Sequence, residues 1–285
     1  MLSYLRFTFS AALVVACMWV CPTTSVHADD LLYGSTGSAG LLYSINPVTQ
    51  TVTLIGNSGI GKLGGIAFDA NGVLYGVSGG SGGPSELFTL NTTNAAATSI
   101  GVVNGIQGVD GLRFAANGTL YGAGWNGVGT LITIDPTNAT LLTSTVLSGS
   151  GNAFAPGIAF NSAGTLFGSR GNSSGHAEDL VTIDPNTGIL TAIGGSTNII
   201  SDIWFSPTGT LYASSPSGEL YTIDPTTGDK TLLFNTGISQ FSGLAGFAAV
   251  PEPTTWALIG TAVLGASAIG WKKRRAIKQN YNRKK

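Results

Sequence analysis

Two aspartates stand just before similar apolar stretches of the chain, and together they could hold a metal ion. Asp110 precedes the stretch GLRF, and Asp202 precedes IWF. We predict that both lie at the start of an inner strand and point into a shared channel, where paired carboxylates could bind Ca²⁺ or transfer protons. The corresponding positions of other repeats are Gly64, Pro156 and Ser242, so the channel is not acidic all round.

Loops of variable content carry a second set of candidate groups. The loop AGWNGVGT contains Trp125 and Asn126, and an aromatic ring in such a Gly-rich loop could stack on a sugar. The loop SRGNSSGHAED contains Arg170 and His176, which could bind a ligand or transfer protons. The alternatives are that Trp125 covers its own repeat and that Arg170 and His176 belong to an ordinary surface loop. Three more residues are predicted on the same face: Phe154, Asn172 and Glu178.

A recurring Asp-Pro pair indicates turns rather than catalysis. The segment ELYTIDPTTG contains Asp224, and closely related segments place Asp or Asn at the same point. Asparagine can cap a turn but cannot replace a catalytic carboxylate, and Pro and Gly favour tight turns. We therefore predict a turn at each of the related positions, which are Asn46, Asn91, Asp135 and Asp184.

These candidate residues must be positioned by a repeat. One unit of about 45 residues recurs along residues 29–250, and such self-similarity is typical of repeat architectures. Each unit has four short stretches of period-two alternation bounded by Gly, Asn and Pro, here called strands A to D. Four strands per unit predict a β-propeller blade. Strand A ends in a phenylalanine in four units, at Phe68, Phe114, Phe160 and Phe205.

The two ends of the repeated region predict a closed ring. The first unit opens at LLYG (31–34), which is already strand B, and the last unit holds only strand A, within 241–250. Together they complete one blade, and such closure protects sheet edges. The predicted fold is an all-β five-bladed β-propeller with a shared first and last blade. A β-sandwich or an open solenoid is the alternative.

The strand connections give the predicted propeller two different faces. The A–B and C–D turns are short and uniform, whereas the B–C and D–A loops vary in length and content. Variable loops on a uniform scaffold are the more common place for binding residues. We therefore predict that the face with Trp125, Asn126, Arg170 and His176 is the binding face.

Residues 1–28 have the features of a secretory signal peptide. Arg6 precedes an apolar run, and small residues stand at −3 and −1 before a site after Ala28. We predict cleavage there by signal peptidase; a lipoprotein signal ending at Cys17 is the alternative. The other cysteine, Cys21, also lies in the leader, so the mature protein is predicted to lack disulfides and thiol chemistry.

The carboxyl-terminal region has the features of a membrane anchor. Residues 254–271 are uncharged and apolar, and a helix of this length measures about 27 Å, enough to span a bilayer core. Eight of the last 14 residues are Lys or Arg, which predicts a cytoplasmic tail, including 276–285, and an exported body.

The exported body is acidic and poor in histidine. Residues 29–250 contain four basic and 13 acidic residues, a net charge of about −9, which argues against nucleic-acid binding. His176 is the single histidine of this body, which argues against zinc sites and histidine-based triads.

The carboxyl-terminal segment 250–275 resembles the PEP-CTERM sorting signal of Gram-negative and related bacteria. It combines a Pro-Glu-Pro triplet, an apolar stretch and a basic cluster. The resemblance implies export, a transient inner-membrane anchor and processing by an exosortase, and family members are often associated with exopolysaccharide and biofilm matrix. The tail 276–285 extends beyond the usual end, and a simple anchor is the alternative. The residues that carry the resemblance are Pro251, Glu252, Pro253, Lys272, Lys273, Arg274 and Arg275.

The body resembles propellers of the NHL and SMP-30 type through the pattern DGLRF…NGTLYG. That group includes hydrolases with acidic metal centres as well as binding platforms. The resemblance implies no catalytic residue here, because the acidic metal ligands are not all present.

The expected function is a non-catalytic binding or structural module at the cell surface or in the extracellular matrix. Its expected partners are matrix polysaccharide or another surface protein. The alternative is a metal-dependent hydrolase or lyase that uses Asp110 and Asp202 on polysaccharide or lactone-like substrates.

Overall fold

In the computed structural model, every element of the described residues is a β-strand, as the alternating sequence pattern predicts. The structure describes residues 31–79, 83–125, 127–149, 155–170, 179–194 and 199–247. Within these ranges the chain forms five four-stranded sheets, each with neighbouring strands antiparallel. The predicted five-bladed β-propeller is therefore confirmed.

Each sheet is one blade of the propeller. The closing blade consists of β1 (Leu32–Thr36), β2 (Leu41–Asn46), β3 (Thr51–Asn57) and β20 (Phe241–Gly246). Blade I consists of β4 (Leu63–Phe68), β5 (Leu74–Ser78), β6 (Pro84–Leu90) and β7 (Ala97–Gln107). Blade II consists of β8 (Val109–Phe114), β9 (Leu120–Trp125), β10 (Gly129–Ile134) and β11 (Leu141–Val146). Blade III consists of β12 (Ile158–Phe160), β13 (Leu166–Arg170), β14 (Asp179–Ile183) and β15 (Leu190–Gly194). Blade IV consists of β16 (Asp202–Phe205), β17 (Leu211–Ser214), β18 (Glu219–Ile223) and β19 (Lys230–Asn235).

The ring is closed by strands from the two ends of the described body. β20 supplies strand A of the closing blade and pairs antiparallel with β1, so that Leu32 faces Gly246 and Tyr33 faces Ala245. This is the predicted shared first and last blade. This pairing covers the edge of β1 that would otherwise be unpaired, and it removes a site for pairing with other chains.

Aromatic pairs between neighbouring blades hold the ring together. The phenylalanine that ends strand A packs edge-to-face on the strand-B ring of the preceding blade, with ring centroids 5.1–5.2 Å apart. Such pairs contribute about 0.5–1.5 kcal/mol beyond the burial of their surface. The four pairs are Tyr33–Phe68, Tyr75–Phe114, Tyr121–Phe160 and Phe167–Phe205.

The junction between blade IV and the closing blade uses a different residue. Gly246 stands where the other blades have the strand-A phenylalanine, since it pairs with the first residue of strand B. The indole ring of Trp204 fills the space instead: a Cβ added at Gly246 would lie 2.5 Å from that ring. Trp204 stacks on Tyr212 with ring centroids 6.0 Å apart. One large ring on blade IV thus replaces the usual phenylalanine of the next blade.

The recurring Asp or Asn is a turn residue, as predicted. The Oδ1 atom of Asp224 accepts hydrogen bonds from the N–H and the hydroxyl of Thr226, at 2.8 and 2.6 Å. These bonds, that of the hydroxyl first, lower the pKa of Asp224. Four residues later the chain enters the left-handed region, with φ of +78° at Gly228. Asn46, Asn91, Asp135 and Asp184 also accept backbone N–H groups in their turns.

Both ends of the described body leave the propeller on one face. In blades I to IV the A–B turn joins the end of strand A to the start of strand B. In the closing blade the end of strand A continues to Phe247, and strand B begins at Leu32. We call this side, which carries the A–B and C–D turns, the short-turn face, and the opposite side the variable-loop face. Phe247, the last described residue, therefore lies on the short-turn face.

No helix in the described ranges is long and apolar enough to cross a membrane. The predicted signal peptide with its cleavage site at Ala28, the predicted span 254–271 and the basic tail 276–285 all lie outside those ranges.

Candidate functional site

Asp110 and Asp202 do not occupy corresponding positions of strand A, so that part of the prediction was wrong. Counting back from the pairing with strand B, Asp202 faces Ser214, whereas Gly111, the residue after Asp110, faces Ala123 at the corresponding place. Asp202 thus stands one position later in its blade than Asp110 does. Alignment on the aspartates failed because blade IV lacks the glycine that follows Asp110.

The position of Asp202 is a glycine in all other blades because the inner strands approach each other closely there. A Cβ added at Gly65 would lie 2.6 Å from the carbonyl oxygen of Asp110, and one at Gly157 would lie 2.6 Å from the Cα of Asp202. Real Cβ atoms do not make such contacts. The four glycines are Gly65, Gly111, Gly157 and Gly243.

The side chain of Asp202 accepts hydrogen bonds from backbone N–H groups of two blades. Its side chain is fully buried. One carboxylate oxygen accepts the N–H of Ile203 at 2.9 Å, and the other accepts the N–H of Leu244, on the closing blade, at 2.8 Å. The carboxylate therefore joins blade IV to the closing blade.

Arg113 lies beside Asp202 and binds three other blades. It projects from strand A of blade II and is only 7% exposed. Its Nε donates to the carbonyl of Ile158 at 3.0 Å, and its Nη2 donates to those of Ile203 and Leu244 at 2.8 and 2.9 Å. Nη2 is also 3.6 Å from the Asp202 carboxylate. One side chain near the axis thus connects blades II, III and IV with the closing blade.

Burial dominates the ionisation of this pair. Loss of solvation raises the pKa of Asp202 to about 7, although Arg113 and the backbone N–H groups act in the opposite direction. Loss of solvation also lowers the pKa of Arg113, against the effect of Asp202. The charged form of Asp202 is thus disfavoured in the folded protein relative to the unfolded chain.

We predict that the contribution of Asp202 to the free energy of unfolding decreases as the pH rises. Because its folded pKa of about 7 exceeds the ordinary aspartate value of 3.8, the folded state binds an extra proton at pH values between the two. The contribution is complete below about pH 4 and is lost through about pH 7, with a slope of at most about 1.4 kcal/mol per pH unit. We expect the difference in free energy of unfolding between wild type and Asp202→Asn to follow this slope in urea denaturation. A difference that is constant from pH 4 to pH 8, or that grows with pH, would contradict the assignment.

Asp110 faces a different environment from Asp202. Its side chain is 25% exposed and lies 3.6 Å from Nζ of Lys62, on the preceding blade. Among the residues that the structure describes, no group of three or more His, Cys, Asp or Glu side chains is arranged to hold a metal ion. The two predicted carboxylates are thus directed at different partners.

The structure describes part of the predicted ligand-binding face. Trp125, at the end of strand B in blade II, is 37% exposed. Arg170 ends strand B of blade III and is half-buried. Asn126, Phe154, Asn172, His176 and Glu178 lie outside the described residues, so whether Arg170 and His176 meet stays a prediction.

Buried serines near the end of strand B were not singled out by the sequence. The Oγ atom of Ser35 accepts the N–H of Gly243 in its own blade and donates to the carbonyl of Gly64 in blade I. Ser214 makes the same pair of bonds, to Asp202 and to Ser242. Their signal is the repeated triplet of an aromatic residue, a small residue and serine. These hydroxyls join neighbouring inner strands.

A cavity of about 510 Å³ opens on the short-turn face. Strand-A phenylalanines surround it, A–B turns form its rim, and Arg113 is among the lining residues. Sequence reasoning missed it, because uniform turns gave no reason to expect a site on this side. One signal was present: Arg113 is the only charged residue at a strand-A position that is otherwise Ala or Trp, at Ala67, Ala159, Trp204 and Ala245.

Comparison with known proteins identifies the carboxyl-terminal segment. Residues 249–275 match the model of the PEP-CTERM protein-sorting motif. The chain carries a PEP-CTERM sorting signal. This signal implies export, membrane-anchored sorting in Gram-negative bacteria and processing by an exosortase. Its residues, from Pro251, Glu252 and Pro253 to Lys272, Lys273, Arg274 and Arg275, lie outside the described ranges.

Solved structures support the fold of the PEP-CTERM protein's body and nothing finer. A chain in a nidogen/laminin complex is 13% identical, with a TM-score of 0.51, over 75% of this chain and 97% of that one. The PQQ-bound aldose sugar dehydrogenase of Streptomyces coelicolor is 14% identical, with a TM-score of 0.50, over 75% of this chain and 81% of that one. A gluconolactonase of Xanthomonas campestris is 15% identical, with a TM-score of 0.47, over 75% and 80%. No curated protein matches the chain significantly.

Proposed function

We propose that the propeller is a non-catalytic module that binds matrix polysaccharide at the cell surface through its variable-loop face. One observation carries the proposal: Phe247, the last described residue before the sorting signal at 249–275, lies on the short-turn face. While the protein is anchored, the opposite face is therefore directed away from the membrane. Variable loops on that face are free to meet material outside the cell.

Trp125 supports polysaccharide as the ligand. An indole ring that is 37% exposed at the end of a strand has a fixed base and an accessible surface. Rigid aromatic side chains supply large contact areas at low entropic cost. The acidic body, with a net charge of about −9, favours neutral or cation-bridged polymers over strongly anionic ones.

The contacts that the inner carboxylates already make favour a binding function over metal-dependent hydrolysis. Asp202 bonds to backbone N–H groups and lies beside Arg113, and Asp110 lies beside Lys62. The metal-dependent alternative would require Asp110 to act without Asp202.

The test is binding of native exopolysaccharide and of a glycan array by the full chain in lipid nanodiscs. We expect Trp125→Ala to weaken binding about tenfold or more, because a buried aromatic ring contributes about 1.5–3 kcal/mol. Trp125→Phe should retain most of the affinity, and Val128→Ala, a change at an exposed residue of the same loop, is the matched control.

Three results would count against the proposal. They are the absence of glycan binding, equal binding by Trp125→Ala and wild type, and cleavage of the polysaccharide. Cleavage that stops in EGTA and is also lost in Asp110→Asn would favour the metal-dependent alternative.

A further inference from the structure

The cavity on the short-turn face has the dimensions and lining of a ligand site. Its volume of about 510 Å³ lies within the range of about 300–1,000 Å³ typical of small-molecule pockets. Such pockets combine apolar walls with a few convergent polar groups. Here the walls are aromatic, and they come from different blades: Phe68, Phe114, Phe160, Phe205 and Phe247.

Arg113 lines this cavity and has two buried N–H groups that lack a partner among the described residues. A guanidinium has five N–H donors. One on Nε and two on Nη2 are used by the carbonyls of Ile158, Ile203 and Leu244. The two N–H groups of Nη1 make no hydrogen bond to a described residue, although Arg113 is only 7% exposed.

Unmade hydrogen bonds of this kind are costly. Leaving a buried polar group without a partner costs about 1–3 kcal/mol, and more when the group is charged. An acceptor in the cavity would remove that cost, and a carboxylate forms the strongest such bonds with a guanidinium.

The acidic side chain at the rim does not compete for Arg113. The Oδ1 atom of Asp69 accepts hydrogen bonds from the N–H groups of Asn71 and Val73 within its own turn. Asp202, on the other side of the guanidinium, contacts Nη2. Nη1 is therefore the part of Arg113 that remains for a ligand.

We propose that this cavity binds a small carboxylate with an apolar ring or chain. The carboxylate accepts hydrogen bonds from Nη1 of Arg113, and the apolar part packs against the surrounding phenylalanine rings. The site is separate from the variable-loop face and does not depend on polysaccharide binding.

The carboxylate has two possible sources, a free molecule or Glu252 of the chain itself. Phe247 lines the cavity, and Glu252 follows five residues later. Five extended residues reach about 17 Å, so Glu252 is within range of a cavity of this size. The chemistry at Arg113 is the same in both cases.

The test measures binding of 4-fluorobenzoate to the full chain in lipid nanodiscs by ¹⁹F NMR, with benzoate as competitor. 4-Fluorobenzyl alcohol has the same ring without the carboxylate, and we expect it to bind about tenfold more weakly or worse, from the loss of a charge-assisted hydrogen bond. Ala116 is exposed and lines the rim, so Ala116→Trp should block entry and weaken binding about tenfold or more. Ala96→Trp, in an exposed turn away from the cavity, is the matched control.

Glu252→Gln distinguishes the two sources. Binding by wild type that is unchanged in Glu252→Gln supports a free carboxylate, and binding that appears or tightens in Glu252→Gln supports occupation by Glu252. The proposal is overturned if neither protein binds 4-fluorobenzoate, if the alcohol binds equally well, or if Ala116→Trp has no effect. None of these results bears on glycan binding through Trp125.

Discussion

Replacing Arg113 by alanine is expected to lower the free energy of unfolding by about 3–5 kcal/mol, the range for breaking a buried ion pair. The substitution removes the donor of three carbonyl groups on three blades and leaves Asp202 without its cation. Urea denaturation followed by tryptophan fluorescence would measure the loss.

A second substitution tests whether the loss arises from the pair. Asp202→Gly introduces the residue that the other blades have at this position, and alanine at 113 matches Ala67, Ala159 and Ala245. We expect the double variant to lose about 1–3 kcal/mol less than the sum of the single losses, as coupled neighbours do. Strict additivity would mean that Arg113 and Asp202 act independently.

Replacing Trp204 by alanine is expected to cost about 3–5 kcal/mol, as removal of a large buried aromatic ring does. Trp204 is 6% exposed, stacks on Tyr212 and occupies the space beside Gly246. Its loss would leave a void at the junction where the two ends of the body close the ring. Thermal unfolding of the full chain would report the change.

Gly246→Phe provides the matched rescue for that junction. Alone it should destabilise, because a Cβ at this position would lie 2.5 Å from the indole ring. Combined with Trp204→Ala, it places Ala on one blade and Phe on the next, as Ala67 and Phe114 stand on blades I and II. The new ring could then pack on Tyr212 as Phe114 packs on Tyr75. We expect the double variant to be more stable than either single variant. A double variant less stable than both would show that the closing junction differs in more than this exchange.

The two double variants show whether each single variant is destabilised by the mismatch with its partner residue or by a general weakening of the ring. In both, the residues introduced are those that other blades already use. If the rescues succeed, blade II, blade IV and the closing blade differ from the rest through two compensated exchanges, Trp204 with Gly246 and Asp202 with Arg113. A ring of few blades brings inner strands close together, so an exchange near the axis is best tolerated with a matching one on another blade.

The blades and their turns were readable from the sequence because they depend on local rules. The strand order and the ring closure could be predicted from the alternation of residue types, the positions of Gly and Pro, and the spacing of Phe68, Phe114 and Phe160. The turn at Asp224 was also readable, since Asp caps and Gly take fixed positions in short turns. The sorting signal was readable for the same reason, as its triplet, apolar stretch and basic cluster are contiguous.

The candidate sites could not be read in the same way. Asp110 and Asp202 each stand just before a similar apolar stretch, and only the pairing with strand B reveals the shift by one residue. Because side chains alternate along a strand, one position decides between the interior and the rim.

The sequence by itself determined the fold, the ring closure and the sorting signal of this protein. Only the tertiary structure decided that Asp202 is buried beside Arg113, that Trp204 fills the place of a phenylalanine on the next blade, and that a cavity opens on the side with uniform turns. The partners of Arg113 are backbone carbonyl groups on three blades, up to 131 residues away in the chain. Every residue has such a carbonyl, so no residue type marks the contact, and only the approach of strands around the axis creates it.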